Sequence, residues 1–161
     1  MIRPRRCPVR AGIVLFILSA AGALWSPVLA QGAPSAQDRA RVLRGSAAEV
    51  ATHWARGSAS GLSNLLSSRG IGFYTPTEGQ ATLDPRKAMA ALDDLLNRNS
   101  SVSCTVVRVT LASGASDRGS AELAWESMAP GTSEVIRRTV FVGFDWEGDR
   151  WRIYEIRILP A

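Results

Sequence analysis

The C-terminal third of the chain, residues 101–159, contains long segments of alternating apolar side chains, and this pattern constrains the fold most. Before the loop Glu147-Gly148-Asp149, every second residue is apolar or aromatic, which places one row of side chains on one face of a strand. That row is Val140, Val142, Phe144 and Trp146. Because glycine supplies the positive φ that a tight reversal needs, the pattern predicts a hairpin whose second strand runs from Trp151 to Leu159.

Two of the predicted strands alternate imperfectly. In the first, the apolar residues are Val102, Cys104 and Val106, followed by Val107, Val109 and Leu111. The phase therefore changes between Val106 and Val107, as at a β-bulge, and bulges bend sheets. The last strand has apolar residues on both faces, which predicts a central strand that is partly covered on both sides. Together with a strand over Ser120–Ser127, these features predict a strongly curved antiparallel sheet.

The N-terminus has the pattern of a secretory signal peptide. Four arginines lie within the first ten residues, an apolar run follows from Ala11 to Trp25, and small residues stand at the end of Val28-Leu29-Ala30. This arrangement predicts cleavage after Ala30 and a secreted or periplasmic protein without a stable membrane anchor. The alternative is an uncleaved anchor, because residues 11–30 are just long enough to span a bilayer.

The charge of the chain belongs largely to this targeting segment. The whole chain has a net charge of +5, and the signal contains four of its 19 basic residues, so the mature chain is close to neutral. The basic composition is therefore no indication of nucleic-acid binding. The mature chain of about 130 residues has the size of one domain. It retains one cysteine, Cys104, which excludes an intrachain disulfide and is expected to be a small core residue.

Three helical segments are predicted before the sheet. Residues 31–41 are expected to be flexible, and residues 42–161 are expected to form one domain. The capping-box pattern Ser46-Ala47-Ala48-Glu49 predicts a helix over Ala47–Arg56, a second helix follows over Ser60–Ser67, and Asp84-Pro85 begins a third. Gly70–Tyr74 is expected to be a short edge strand, with a loop over Thr75–Gln80. This order predicts an α+β domain in which helices cover one face of the sheet.

The order of elements resembles the nuclear transport factor 2-like superfamily, which has a cone-shaped fold of three helices on a curved antiparallel sheet. The similarity is greater to one family within it, the small secreted bacterial proteins of domain-of-unknown-function family 4783. It rests on the helix Ala47–Arg56, the step Gly57–Leu62, the strand Gly72-Phe73-Tyr74, the Asp84-Pro85 helix start and the ending Gly148–Ile158. The resemblance implies the cone fold and dimerisation through the open sheet face. The family has no established activity to transfer.

Sequence motifs for cofactor chemistry are absent. One His and one Cys in the mature chain are too few for a zinc site, and no phosphate-binding or dinucleotide-binding glycine motif occurs, so no metal and no cofactor are expected. Enzymes of the superfamily work inside the cone, and the resemblance implies that a ligand pocket would lie there. The residues that could line such a pocket are His53, Trp54, Tyr74, Trp125, Tyr154 and Glu155. No catalytic residue is assigned, because no sequence pattern brings an acid or a base together with an orienting partner.

We therefore expect a secreted, non-enzymatic domain that binds a small apolar molecule or a protein partner. The first alternative is an enzyme of the isomerase or dehydratase kind that acts on a small hydrophobic substrate inside the cone. The second is a cell-envelope protein whose role is to hold another protein. A small-molecule-binding domain and an enzyme both require a concave pocket of at least about 300 Å³, and the enzyme also needs an acid or base within it. The cell-envelope hypothesis predicts that side chains fill the cone.

Overall fold

The computed structural model describes residues 34–160 except positions 78, 114–116 and 130, so the predicted signal peptide, residues 1–30, lies outside the described residues. Within these described residues, two α-helices, one 3₁₀ helix and six strands follow one another. They are α1 (Ala36–Ala55), the 3₁₀ helix (Ser60–Leu65), β1 (Ile71–Thr75), β2 (Gly79–Leu83), α2 (Pro85–Arg98), β3 (Ser100–Leu111), β4 (Arg118–Met128), β5 (Val135–Glu147) and β6 (Arg150–Pro160). The predicted α+β class and its three helical segments are present.

The strands form one curved, unclosed sheet in the order β2-β1-β6-β5-β4-β3. The predicted hairpin is confirmed: β5 and β6 pair antiparallel, and Gly148 in the connecting turn has φ +67°. Two expectations about the sheet are wrong. Part of the predicted Thr75–Gln80 loop belongs to β2, so β1 is not an edge strand. The sheet is also not purely antiparallel, because β1 pairs parallel with β6.

Bulges explain both irregular alternations in the sequence. The register of β3 against β4 shifts between Val106 and Arg108, which confirms the bulge predicted there, and Val107 is 65% exposed. A second shift lies in β6, where Phe144 pairs with Ile153 and Gly143 pairs with Glu155. This bulge moves the buried positions of β6 from Trp151 and Ile153 to Ile156 and Ile158. The four buried apolar residues of β6 therefore share one covered face, whereas Leu159 is 37% exposed and Tyr154 is half-buried on the other face. The strand is central in the sheet, as predicted.

Helix α1 begins at Ala36, eleven residues before the predicted start. The hydroxyl of Ser35 accepts a hydrogen bond from the Asp38 amide and caps the helix, whereas the predicted capping box lies in its interior. Part of the segment that was expected to be flexible, from Ala36 to Arg41, is thus helical. The weak helix propensity of Gly45 is overcome by packing, because Leu43 is fully buried one turn before Ala47.

Helix α2 begins as predicted, with the Asp84 carboxylate accepting from the Lys87 amide and Pro85 in the first turn. The Lys87 amide hydrogen bond and the nearby Lys87 charge hold the pKa of Asp84 below its usual value. Between residues 34 and 160, no described helix has the length and apolar content to cross a membrane.

One hydrophobic core lies between the helices and the concave face of the sheet. Its largest fully buried side chains include Trp54, Trp125, Trp151 and Phe144. Trp146 and Trp151 are opposite each other on β5 and β6 and meet edge to face at 5.2 Å, a cross-strand aromatic contact within the hairpin. Cys104 is a buried, free core residue as expected, and burial raises the pKa of its thiol to about 12.

Candidate functional site

A cavity of about 450 Å³ opens on the concave face of the sheet, beneath α2. Helix α2 contributes a stripe of residues at helical spacing, and the ends of β1, β5 and β6 form the opposite wall. Its described lining residues are Phe73, Thr75, Pro76, Thr77, Ala91, Leu95, Arg98, Asn99, Ile136, Arg137, Arg138, Ile158 and Pro160. Most of this wall is apolar, and the volume exceeds the minimum required by the two ligand readings.

The polar part of the wall consists of hydroxyl, amide and guanidinium groups. Thr75 and Thr77 lie at the turn after β1, and their hydroxyls are 3.4 Å apart. Arg98, Asn99, Arg137 and Arg138 lie where the end of α2 faces the start of β5. The described lining contains no carboxylate, histidine or cysteine. The described chain also has no cluster of three or more histidine, cysteine or acidic residues that could hold a metal ion.

Arg138 connects the polar part of the cavity wall to Trp125 of the core. Its Nη1 donates to Ser127 Oγ at 3.0 Å and to Asn99 Oδ1 at 3.3 Å. The guanidinium carbon also lies 5.2 Å from the centroid of the Trp125 ring, within cation–π range. Neutral groups on α2's C-cap and β4 therefore orient a charged side chain from β5.

On the core side of Arg138, two buried tryptophans pack against each other. Trp54 from α1 and Trp125 from β4 meet edge to face at 5.7 Å. Ser101 joins them, because its hydroxyl donates to the Trp54 carbonyl at 2.8 Å and accepts from Trp125 Nε1 at 2.9 Å. The indole N–H of Trp54 is buried and has no acceptor among the described residues. This layer separates the cavity from the part of the core under α1.

The chain matches no protein-family model and no curated protein. Its fold is similar to solved structures of family 4783 from Bacteroides uniformis (TM-score 0.61, 14% identity, 71% of this chain and 95% of that chain) and Bacteroides ovatus (TM-score 0.56, 19% identity, 71% and 94%). It is also similar to a candidate dehydratase of the NTF2-like family from Streptomyces avermitilis (TM-score 0.60, 9% identity, 79% and 99%).

The chain has the NTF2-like fold. The expected resemblance to the nuclear transport factor 2-like superfamily, and to family 4783 within it, is confirmed for the fold. These identities lie below the level at which an activity can be transferred, so the function of this NTF2-like domain has to be argued from its own site.

The structure places three of the six predicted pocket residues on the concave side of this NTF2-like domain. Trp54 and Trp125 are fully buried and in contact, and Trp125 touches the cavity only through Arg138. His53 lies in the last turn of α1 and packs against Gly61 of the 3₁₀ helix. None of the three is among the residues that line the cavity.

The other three predicted residues lie on the outer face of the sheet. Tyr154 packs over Gly143, where an added Cβ would lie 2.8 Å from the ring, and burial together with the Glu155 charge raises its pKa. Glu155 accepts from Arg157 at 2.7 Å, an ion pair between residues two apart on β6. Tyr74 lines a separate depression of about 250 Å³ with Gln80, Arg157 and Leu159. The six residues therefore do not share one cavity.

Sequence reasoning missed Arg138, although a signal for it was present. Arg138 continues the row of Val140, Val142 and Phe144, which are fully buried on the concave face. A charged residue in an otherwise apolar inward row costs free energy unless it has partners, so it indicates a special site. Asn99 and Leu95 could not be connected to it, because their approach depends on how α2 crosses the sheet.

Proposed function

We propose that this NTF2-like domain is a secreted, non-enzymatic binding module that takes a small apolar molecule into the cavity beneath α2. The cavity of about 450 Å³ carries this proposal, because its wall is largely apolar and includes a limited set of hydroxyl, amide and guanidinium groups. Small-molecule sites in proteins typically combine these two properties. The basic, apolar and small-residue pattern of residues 1–30 supports secretion.

Binding is proposed instead of isomerase or dehydratase chemistry because of the groups that the wall offers. Proton transfer requires a group whose pKa lies near the working pH and that reaches the substrate. The described lining residues offer hydroxyls, an amide and guanidinium groups for this purpose. These groups orient and hold a ligand well, whereas none of these group types is an effective general base. The hypothesis of a cell-envelope protein that only holds another protein predicted a filled cone. The presence of the cavity therefore favours ligand binding over that hypothesis.

A cavity-filling substitution tests the proposal. Ala91 lines the cavity, whereas its neighbour Ala90 is exposed on the same helix. Binding of N-phenylnaphthylamine, a neutral apolar fluorophore, should be measured by fluorescence titration in the wild type, Ala91→Phe and Ala90→Phe. We expect Ala91→Phe to weaken binding by at least about tenfold, because the phenyl ring occupies the site, and Ala90→Phe to leave it unchanged.

The proposal is wrong if Ala91→Phe binds the fluorophore as tightly as Ala90→Phe does. A thermal-shift screen of apolar metabolites with the same three proteins provides an independent measurement. Ligands of this site should raise the melting temperature of the wild type and Ala90→Phe but not that of Ala91→Phe.

A further inference from the structure

Three arginines line one side of the cavity, and they differ in their partners. Arg98 pairs with Asp94 one turn earlier on α2. Arg137 Nε donates to Glu126 Oε1 on the neighbouring strand at 2.9 Å, and this hydrogen bond, with the Arg137 charge, holds the pKa of that carboxyl below its usual value. Arg138 has no carboxylate partner among the described residues. The cavity therefore contains one guanidinium whose charge is not balanced by a described neighbour.

The contacts of Arg138 leave part of its hydrogen-bonding capacity available. A guanidinium has five N–H donors, and the bonds to Ser127 and Asn99 both start from Nη1. No acceptor among the described residues is bonded to Nε or Nη2. A partly buried cation in an apolar wall is costly unless an anion or hydrogen-bond acceptors face it. The N–H donors of Arg138 on Nε and Nη2 therefore form a site at the cavity wall that can bind a hydrogen-bond acceptor of a ligand.

The same contacts hold Arg138 in place before any ligand arrives. Asn99 Nδ2 donates to the Leu95 carbonyl at 2.8 Å, which turns Oδ1 of the amide toward Arg138. Ser127 is fully buried, and the Trp125 ring supports the guanidinium from the core side. A guanidinium that is already oriented loses less conformational entropy on binding, so more of the interaction energy contributes to affinity.

We propose that the ligand of this cavity is an amphipathic monocarboxylate, whose carboxylate binds Arg138 and whose apolar body lies against Phe73, Leu95, Ile136 and Ile158. The planar guanidinium fork matches the two oxygens of a carboxylate. The four apolar residues provide the remaining wall. This inference rests on the proposed function and specifies the class of ligand.

A comparison of decanoate with decanol tests this assignment, because the two probes share an apolar chain and differ in the charged group. Their affinities should be measured by isothermal titration calorimetry, below the micellar concentration, for the wild type, Arg138→Gln and Arg108→Gln. We expect the wild type to prefer decanoate by about tenfold to a hundredfold. Arg138→Gln should abolish this preference without changing decanol binding. Arg108→Gln is the matched control, because this arginine of the sheet is paired with Glu122 and is not among the described residues that line the cavity, and it should keep the preference.

A second variant covers the case in which Arg138→Gln does not fold. Asn99→Asp preserves Arg138 and places a carboxylate at the position that now accepts its hydrogen bond. The internal carboxylate should compete with the ligand, so decanoate binding should fall by at least about tenfold while decanol binding stays the same. Circular dichroism and thermal unfolding of each variant show whether the fold is kept.

The outcomes separate this inference from the proposed function. If decanol binds the wild type as tightly as decanoate and Ala91→Phe blocks both, the cavity is a ligand site but the carboxylate assignment is wrong. If the Arg108→Gln and Arg138→Gln substitutions reduce decanoate binding equally, a diffuse positive charge explains the preference and the assignment is again wrong. If Ala91→Phe leaves both probes bound as tightly as in the wild type, the proposed function itself is wrong.

Discussion

The two helices cover different halves of the same concave sheet face, and they fill them to different degrees. Helix α1 packs on the β3–β4 side, where Leu43, Val50 and Trp54 are at most 1% exposed. Helix α2 covers the β1–β2 side and borders the cavity with Ala91 and Leu95. The sheet is apolar beneath both helices. The two halves differ in what the helices present: α1 buries the large Trp54 side chain, whereas α2 borders the cavity with Ala91 and Leu95.

The position of the polar groups follows the same division. Under α1, Ser101 satisfies the Trp54 carbonyl and the Trp125 indole within the core. Under α2, Arg138 has neutral partners and donors left over. We call the half under α1 the filled half and the half under α2 the hollow half. The filled half is stabilised by complete packing, whereas the hollow half loses some dispersion energy and leaves space for a ligand. Three sets of substitutions test this contrast.

The largest difference is expected when a phenyl ring is added to each half. Ala47 is fully buried on α1, so Ala47→Phe should lower the free energy of unfolding by about 2 kcal/mol or more. Ala91→Phe has the cavity available and should change it by less than about 0.5 kcal/mol. Guanidinium chloride denaturation of both variants measures the two values. Equal costs at the two positions would mean that the halves are packed alike.

A smaller difference is expected between the two tryptophans of the filled half. Trp125→Phe removes the hydrogen bond to Ser101, whereas Trp54→Phe removes an indole N–H that has no described acceptor. Both changes remove a similar apolar area, so Trp125→Phe should lower the free energy of unfolding by about 1 kcal/mol more. Urea denaturation of the two variants tests this, and a larger cost for Trp54→Phe would contradict the assigned hydrogen bonds.

The smallest effect concerns the connection that leads into β1, one wall of the hollow half. Glu147 accepts from Ser67 at 2.6 Å and pairs with Arg69. Burial alone would raise the pKa of Glu147, but these hydrogen bonds and the Arg69 charge hold it below its usual value of 4.5. Because the folded-state pKa is the lower one, Glu147 stabilises the fold above the usual carboxyl pKa, and this stabilisation is lost as the pH falls through the lowered value.

Glu147→Gln should therefore cost under about 1 kcal/mol at neutral pH and progressively less as the medium becomes acidic. Chemical denaturation across this pH range measures the change. Glu134→Gln, which removes an exposed carboxylate in the β4–β5 connection, is the control and should show no such trend. A cost of Glu147→Gln that stays constant with pH would contradict the sign of the pKa shift.

Local patterns predicted much of the fold, and they failed where packing across the molecule overrode them. The Asp84-Pro85 helix start, the Val106-Val107 bulge and the Gly148 hairpin each depend on residues a few positions apart, and all three are confirmed. The predicted start of α1 was wrong because burial of Leu43 compensates for the weak helix propensity of Gly45. β2 was not predicted because its five residues, Gly79–Leu83, are exposed or only half-buried and so have no buried apolar row. Pairing with β1 holds them in the sheet.

The candidate site was less predictable than the fold. The six expected pocket residues were chosen because they are aromatic or titratable, yet the cavity is lined mainly by small and aliphatic side chains. Tyr154 and Glu155 were assigned to the pocket, but the bulge in β6 turns them to the outer face. A bulge changes the face of every later residue, so a single error of register moves a predicted site to the wrong side of a sheet.

The helical segments, the long strands and the inward apolar rows could be predicted from the sequence alone, because these properties depend on neighbours within a few positions. Dimerisation through the open sheet face stays a prediction. Only the tertiary structure decided that α2 leaves a cavity and that Arg138 faces it. Its partners Ser127 and Asn99 are 11 and 39 residues away along the chain, and only the packed sheet and helix bring these groups within hydrogen-bonding distance.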